Sequence, residues 1–126
     1  MSLMVMVAQK APEVYVVYPA GSLNSNTYAV LESKIEVILA QHPRLLVLDL
    51  ARLEYISSAG IRVILKTRGA LKKMNGQLKV MNLQPQIKKV FDIINALPSK
   101  QIFASVAEFD AYLETMQKAV KSDRAL

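Results

Sequence analysis

The sequence predicts one α/β domain with a mixed, mostly parallel sheet, an N-terminal hairpin and about four helices packed against the sheet. Short apolar runs of strand character alternate with longer segments whose apolar residues recur at helical spacing. Strands separated by helices in this way imply right-handed βαβ crossovers and hence parallel pairing. The chain has 126 residues, 52% of them hydrophobic and 21% charged, which is enough for one core and too few for two full domains.

The expected strands are recognised by composition and by the breakers that follow them. Val14–Tyr18 is rich in β-branched and aromatic residues and runs into Pro19, which predicts a strand followed by a turn. Leu45–Leu50 is almost continuously apolar, as is typical of a strand buried on both faces. The stretch Ala51–Ile56 predicts a loop. The strands predicted are therefore Met4–Val7 as the hairpin partner, Val14–Tyr18, Leu45–Leu50, Gln77–Met81 and Ile102–Ala104.

Four segments have the apolar spacing of amphipathic helices. Each begins at a residue suited to a helix N-terminus, and these are Asn24 or Ser25, the pair Ser57 and Ser58, Pro85, and Ser105 of a capping box. The apolar stripes are, in order, Tyr28, Leu31, Ile35, Ile38 and Leu39; Ile61, Ile64, Leu65, Leu71 and Met74; Ile87, Val90, Phe91 and Ile94; and Phe109, Tyr112, Leu113 and Met116. The domain is expected to span residues 1–120, with a frayed tail at 121–126.

Composition excludes several kinds of site. The chain has no cysteine and a single histidine, His42, which rules out disulfides, thiolate chemistry and a histidine-cluster metal centre. No glycine-rich phosphate loop is present, so we expect no cofactor. No apolar run approaches the roughly 18–20 residues that cross a bilayer. The first residues, Met1–Met4, lack the basic and apolar regions of a secretory signal, so we expect a cytoplasmic protein.

Positive charge is concentrated in the middle of the chain. The formal net charge is +6, yet no acidic residue lies between Glu54 and Asp92. The basic residues in that stretch are Arg62, Lys66, Arg68, Lys72, Lys73, Lys79, Lys88 and Lys89. Such a segment suits an acidic partner or a phosphate group, and a solvated helix face is the alternative interpretation.

Three local strings, in their order along the predicted elements, are similar to those of one protein family. They are Leu46–Leu50 with Leu53, Tyr55, Ile56 and Ser57–Ile61; Gly21–Asn24 with Thr27; and Asn82–Pro85 with Ile87, Val90, Phe91 and Leu97. The first resembles the strand, loop and second-helix start of STAS domains, the family of bacterial anti-sigma factor antagonists. The other two resemble that family's turn into the first helix and the start of its third. The similarity runs from about Val14 to Tyr112.

The resemblance implies partner switching and names an acceptor serine. In such antagonists, a serine at the N-terminus of the second helix is phosphorylated by a GHKL-type serine kinase that is also an anti-sigma factor. The unmodified antagonist binds that factor and frees the sigma factor, and a phosphatase resets the cycle. Aligned on Gly60, the acceptor is Ser58. Ser57 and Asn24 stand where many members have aspartate.

Physical chemistry makes a phosphate at this place plausible, although a simpler interpretation is open. A helix N-terminus offers unpaired N–H groups and partial positive charge, and a phosphoserine brings about −1.5 to −2 charges to it. The simpler interpretation is that Ser57 and Ser58 only cap the helix, since loss of a serine cap costs about 0.5–2 kcal/mol.

The expected partner-binding residues surround the acceptor. We expect an exposed apolar rim at Ile56, Ala59 and Ile61, beside which a phosphate would be costly to desolvate. Arg62 and Lys66 share the opposite face of the second helix and are expected either to meet acidic groups or to be solvated. The full predicted set is Asn24, Ile56, Ser57, Ala59, Gly60, Ile61, Arg62 and Lys66.

Other classes of function have weaker support. Asp49 and Glu54 flank the acceptor in sequence but form no catalytic dyad, so we expect no enzyme. The basic segment alone suggests nucleic-acid binding, and no recognition-helix signature accompanies it. A STAS scaffold, or an accessory subunit of a transporter, secretion or signalling complex, would have the same fold without a sigma factor, and this alternative stays open. A monomer is expected.

Overall fold

Residues 2–96 and 105–125 are described by the computed structural model, and they form five strands and four helices. The strands are β1 (Leu3–Ala11), β2 (Val14–Leu23), β3 (Leu45–Asp49), β4 (Leu53–Ile56) and β5 (Gln77–Met81). The helices are α1 (Tyr28–Leu39), α2 (Ser58–Lys73), α3 (Pro85–Ala96) and α4 (Val106–Ala125). The predicted fold class is confirmed. The strand predicted at Ile102–Ala104 lies outside the described residues.

The sheet is mixed and mostly parallel, as predicted. Its order is β1-β2-β3-β5, with β4 also paired to β2. The β1–β2 hairpin is antiparallel, and the other strand pairs are parallel. Residues Val14–Val17 of β2 pair with β3, and Gly21–Leu23 pair with β4. Strand β2 therefore pairs with both β3 and β4, which follow each other along the chain, and β4 leads into α2.

Strand β2 is longer than predicted, because the sequence prediction ended it at Pro19. The strand instead continues through Pro19 and Gly21 to Leu23. Pro19 lies between the part of β2 that pairs with β3 and the part that pairs with β4. Because no strand is paired with Pro19 on that side of β2, its missing N–H removes no hydrogen bond there. Gly21 has a φ of 112°, a conformation that side chains disfavour.

The predicted loop at Ala51–Ile56 is wrong in its second half, which forms β4. This strand has only four residues, too few to show a period of two in the sequence. Leu53 and Ile56 are fully buried, and the strand pairs with β2. Tertiary pairing rather than local sequence therefore defines it.

Helix α1 begins later than predicted. Thr27 is its N-cap residue, and the candidates Asn24 and Ser25 lie in the preceding turn. The Thr27 hydroxyl donates to the carbonyl oxygen of Ser22 at 2.7 Å and accepts the Asn24 N–H at 2.9 Å. These bonds hold the turn between β2 and α1 in place beside the start of α2.

The apolar stripes of the helices are buried or partly buried, except for two residues. Leu65 is 49% exposed and Tyr112 is 41% exposed, so the prediction that they belong to the core is wrong. The buried face of α2 includes Ile64, Thr67 and Leu71, and Leu65 is turned about 100° from Ile64 around the helix axis. Helix α4 continues to Ala125, and the predicted fraying of residues 121–126 stays a prediction.

Gly60 allows α2 to approach the sheet closely. A Cβ at this position would lie 2.6 Å from Cγ of Leu23 and 2.8 Å from Cγ1 of Ile56. We expect Gly60→Ala to lower the free energy of unfolding by about 1–3 kcal/mol, because an added methyl group in a packed site forces its neighbours to shift. That loss exceeds the gain of up to about 1 kcal/mol from the higher helix propensity of alanine. Urea denaturation measures the difference.

Gly69, in the same helix, provides the matched control. A Cβ there would meet no atom within 4 Å, and the residue is exposed. Gly69→Ala is expected to raise the free energy of unfolding by about 0.5–1 kcal/mol through helix propensity alone. If both variants were stabilised to the same extent, the close approach at Gly60 would be without energetic consequence.

Candidate functional site

The chain passes from β4 into α2 within one residue, which brings Ser58 to a helix N-terminus. Ser57 is the N-cap residue, and its backbone N–H donates to the carbonyl oxygen of Leu23 at 2.9 Å. Its carbonyl oxygen accepts the first helical hydrogen bond, from the N–H of Ile61 at 3.0 Å. Ser58 is therefore the first residue of α2, where a backbone N–H has no partner within the helix.

Asp110 of α4 supplies the missing partner with its carboxylate. Its Oδ1 accepts the backbone N–H of Ser58 at 2.8 Å, and its Oδ2 accepts the Ser58 hydroxyl at 2.9 Å. The cap on α2 thus comes from 52 residues away in the sequence. Negative charge at a helix N-terminus is favourable, and hydrogen bonds to a carboxylate are stronger than neutral ones.

The interpretation of the two serines as helix caps is not supported. The Ser57 side chain makes no capping hydrogen bond, and its Oγ is buried without a hydrogen-bond partner among the described residues. The Ser58 hydroxyl points to Asp110 rather than to the helix backbone. Neither hydroxyl therefore serves as the cap of its own helix.

Two glutamine side chains complete the outer edge of β4. The Gln117 amide accepts the Ile56 N–H at 3.0 Å and donates to the Ile56 carbonyl oxygen at 2.7 Å, as a neighbouring strand would. Gln86 of α3 donates to the carbonyl oxygen of Glu54 at 3.0 Å. Gln86 is fully buried and Gln117 almost so. These bonds fix α3 and α4 against the strand that leads to Ser58.

A cleft of about 440 Å³ opens beside Ser57. Two glutamates in its walls are paired with lysines. The Nζ of Lys118 lies 2.9 Å from Oε1 of Glu114, and the Nζ of Lys121 lies 4.0 Å from Oε1 of Glu54. Burial, followed by the charges of Glu114 and Asp110, raises the pKa of Tyr55 above its ordinary value of 10.0. Side chains lining the cleft include Asn24, Glu54, Tyr55, Ser57, Asp110 and Glu114. Within the described ranges, no group of three or more acidic, His or Cys side chains is arranged to hold a metal ion.

The family model for the STAS domain matches residues 5–109 of the chain. The chain belongs to the STAS domain family. Among curated proteins, BtrV of Bordetella bronchiseptica, described as a candidate anti-sigma factor antagonist, is 40% identical over 73 residues. That match spans 58% of this chain and 63% of the length of BtrV.

Solved structures show the same fold at low sequence identity. An anti-sigma factor antagonist from Mycobacterium paratuberculosis is similar with a TM-score of 0.68 and 23% identity, covering 94% of each chain. SpoIIAA in its unphosphorylated form has a TM-score of 0.62 and 18% identity, covering 98% of this chain and all of that one. The Bacillus SpoIIAA structure in its phosphorylated form has a TM-score of 0.62 and 21% identity, covering 72% and 83%. In the part of the chain that the structure describes, no helix is long and apolar enough to span a membrane.

Three of the predicted site residues of this STAS domain lie in or next to the cleft. They are Asn24, Ser57 and Ser58, of which the first two line the cleft. Asn24 organises its own loop, because its Oδ1 accepts the N–H of Asn26 at 2.8 Å. Their convergence follows from the pairing of β2 with β4, which brings the end of each strand to the same edge.

The predicted apolar rim is wrong. Ile56 is fully buried, and Ala59 and Ile61 are 7% and 6% exposed. Gly60 is buried with them, since the first turn of α2 packs directly on Leu23 and Ile56. These residues belong to the core and position Ser58, and they offer no apolar surface to a partner.

The basic side chains of α2 face solvent. Arg62 and Lys66 are exposed, and Lys66 lies 3.4 Å from Glu32 of α1. With the Lys66 side chain 68% exposed, such a pair contributes about 0–1 kcal/mol. Arg62, one turn from Ser58, is the basic residue nearest in sequence to the acceptor.

The carboxylates considered for catalysis have other roles. Asp49 accepts the N–H of Ala51 at 3.1 Å and an amide hydrogen of Asn82 at 3.2 Å, so it orients the loop after β3. The Glu54 side chain is 60% exposed and faces Lys121. The hydrogen bonds of Ser58 go to Asp110 instead.

Sequence analysis missed Asp110 and Gln117. Both lie on the face of α4 that also includes Leu113, at intervals of three and four residues. A polar residue within an apolar helical stripe is a signal that its side chain has a buried partner. The sequence does not indicate which partner, because the partners lie more than 50 residues away.

Proposed function

We propose that this STAS domain is an anti-sigma factor antagonist of a bacterial partner-switching pathway and acts in the cytoplasm. In its unmodified form it binds an anti-sigma factor that is also a GHKL-type serine kinase. Phosphorylation of Ser58 by that kinase ends the interaction, and a serine phosphatase restores it. The relatives described as anti-sigma factor antagonists support the general role.

The observation that best supports the proposal is the position of the Ser58 hydroxyl. It lies at the first residue of α2, is not used as a helix cap, and is bonded to Asp110, which lines the cleft together with the adjacent Ser57. The amide at the same place is suited to receive a phosphate oxygen. The partner surface we propose consists of the cleft with Asn24 and Ser57, together with Arg62 and Lys66 on the exposed side of α2.

The test is to map the phosphorylation site with the partner kinase. The purified STAS domain is incubated with the kinase and ATP, and the modified residue is identified by mass spectrometry. We expect one phosphate, on Ser58, no phosphate in Ser58→Ala, and an undiminished yield in Ser57→Ala. Ser57→Ala is the matched control because it removes the neighbouring hydroxyl, which has no hydrogen-bond partner within the described residues.

Two outcomes would contradict the proposal. Full phosphorylation of Ser57 in the Ser58→Ala protein would move the acceptor by one residue. A stable complex with the kinase that never yields phosphoserine would favour the accessory or scaffold role.

A further inference from the structure

Strand β1 forms an open edge of the sheet. Within the described part of the chain it pairs with β2 alone, so the backbone groups on its other side have no strand beside them. Six of its nine residues are exposed. The outer edge of β4, by contrast, is completed by the side-chain amides of Gln86 and Gln117. An uncovered edge is a template on which another strand can pair.

The features that usually protect an edge strand are confined to one end of β1. Its only charged residue is Lys10, and its one irregularity in pairing with β2 lies between Gln9 and Ala11. The stretch Leu3–Gln9 contains no charge, proline or glycine and pairs regularly with β2. Natural edge strands use charges, prolines and bulges to prevent pairing, so this stretch remains able to pair.

The exposed side chains of this stretch are apolar on both faces of the sheet. Met4 and Met6 are 69% and 66% exposed. They lie on the face opposite the helices, because Leu3 and Val5, which alternate with them, pack in the core. Val7, on the helix side, is also exposed. The edge therefore offers apolar surface above and below its free backbone groups.

Helix α1 extends this apolar edge. It packs on β1 and β2, and α2 lies on its other side, where Lys66 meets Glu32 of α1. Val30 and Val37 of α1 are exposed and are turned about 140–160° from Glu32 around the helix axis, toward the free edge of β1. Five of the nine large apolar side chains that are exposed among the described residues therefore lie along this one edge.

The distribution of charge in β1 favours a second copy of the same strand as the occupant. Two-fold symmetry pairs two copies of a strand antiparallel. With the axis at Met6, the middle of the regular stretch, Met4 lies opposite Ala8 of the second copy. Lys10 then lies opposite Ser2, and the two Lys10 residues are about 27 Å apart along the strands. No like charges meet within the strand pair.

We propose that β1 and the adjoining side of α1 form the interface of a symmetric dimer, in which two sheets join into one. Residues opposite each other in the strand pair point to the same face, so the α1 helices of both copies lie side by side on one face. Val30 and Val37 of each copy are covered there, and the long side chain of Lys34 between them carries its ammonium group to solvent. This dimer differs from the monomer expected from the sequence.

Analytical ultracentrifugation of the unmodified protein tests the dimer without any partner. Between about 1 and 500 µM, which spans weak and moderate association, we expect the mass to rise from the 14.0 kDa of one chain toward twice that value. A single 14.0 kDa species over the whole range would overturn the proposal.

Two matched lysine variants locate the interface. Met6→Lys places two ammonium groups opposite each other at the axis and is expected to raise the dimer dissociation constant at least about tenfold. Met81→Lys adds the same charge on the same face of the sheet at the opposite edge and is expected to change it less than about twofold. Both methionines are exposed, so neither variant is expected to unfold. An equal loss in both variants would show that the copies meet through their open sheet faces, and the β1 interface would be rejected.

The register of the pair is tested by single cysteines, since the chain has none of its own. A disulfide needs Cα atoms within about 7 Å. Directly opposed residues of antiparallel strands meet this limit, whereas Met4 and its copy lie about 14 Å apart in the proposed pair. We expect Met6→Cys to form a disulfide-linked dimer at least about tenfold faster than Met4→Cys or Met81→Cys. A rate for Met6→Cys no higher than for the other two would overturn the proposed pairing.

Discussion

Replacing Gln117 with methionine is expected to lower the free energy of unfolding by about 2–5 kcal/mol, one of the two largest effects expected for this domain. Methionine has nearly the same length and volume, so little packing is lost. The Ile56 N–H and carbonyl oxygen, both buried, would lose their partner at the outer edge of β4. Each buried backbone group left unsatisfied costs about 1–3 kcal/mol. Urea denaturation at constant pH measures the loss.

The neighbouring residue supplies the control for Gln117. The Lys118 side chain is 74% exposed and pairs with Glu114 on the surface. Lys118→Met is expected to change the free energy of unfolding by less than about 1 kcal/mol. A Gln117→Met protein as stable as this control would show that β4 does not depend on the side-chain amide.

Phosphate at Ser58 is expected to weaken binding to the anti-sigma factor at least tenfold, a change of more than about 1.4 kcal/mol. The reason given by the sequence, an exposed apolar rim, does not hold, because Ile56, Ala59 and Ile61 are buried. The structure supplies two other reasons. The phosphate must be desolvated when a partner covers the site, and it places negative charge beside the Asp110 carboxylate, which accepts both polar hydrogens of Ser58.

Calorimetry on the unmodified, phosphoserine 58 and Ser58→Glu proteins measures this change in affinity. Glutamate is expected to give a smaller loss than phosphate, since it adds a single charge and fewer acceptor oxygens. Ser33→Glu is the matched control, because it adds the same charge at an exposed position on α1. Equal loss of affinity in Ser33→Glu would assign the effect to net charge rather than to the site.

Most of the fold follows from local sequence signals. The apolar run at Leu45 predicts a buried strand, and the four amphipathic segments predict the four helices. Strand β4 could not be predicted in this way, because four residues contain too little periodic information and are held by long-range pairing with β2. The prediction that β2 ends at Pro19 was wrong because a proline interrupts a strand only where its missing N–H would pair with a neighbour, and neither β3 nor β4 pairs with Pro19.

The candidate site was predicted in part. The helical pattern that follows Ser57 and Ser58 placed them at a helix start, and the resemblance to STAS domains, rather than the pattern, singled out Ser58 as the acceptor and added Asn24. Asp110 and Gln117 were not found, since the contacts they make to the β4–α2 junction span 52 and 61 residues. The apolar residues beside Ser58 were misplaced because hydrophobic character alone does not distinguish a docking rim from a helix turn packed on the sheet.

The most direct measurement of partner switching is a displacement experiment. A preformed complex of the anti-sigma factor and its sigma factor is mixed with this STAS domain, and free sigma factor is quantified by size-exclusion chromatography. We predict that the unmodified protein releases sigma factor in proportion to the amount added, and that the phosphoserine 58 protein releases none at the same concentrations. Equal release by both proteins, or release only by the phosphorylated one, would contradict the proposal that Ser58 is the switch.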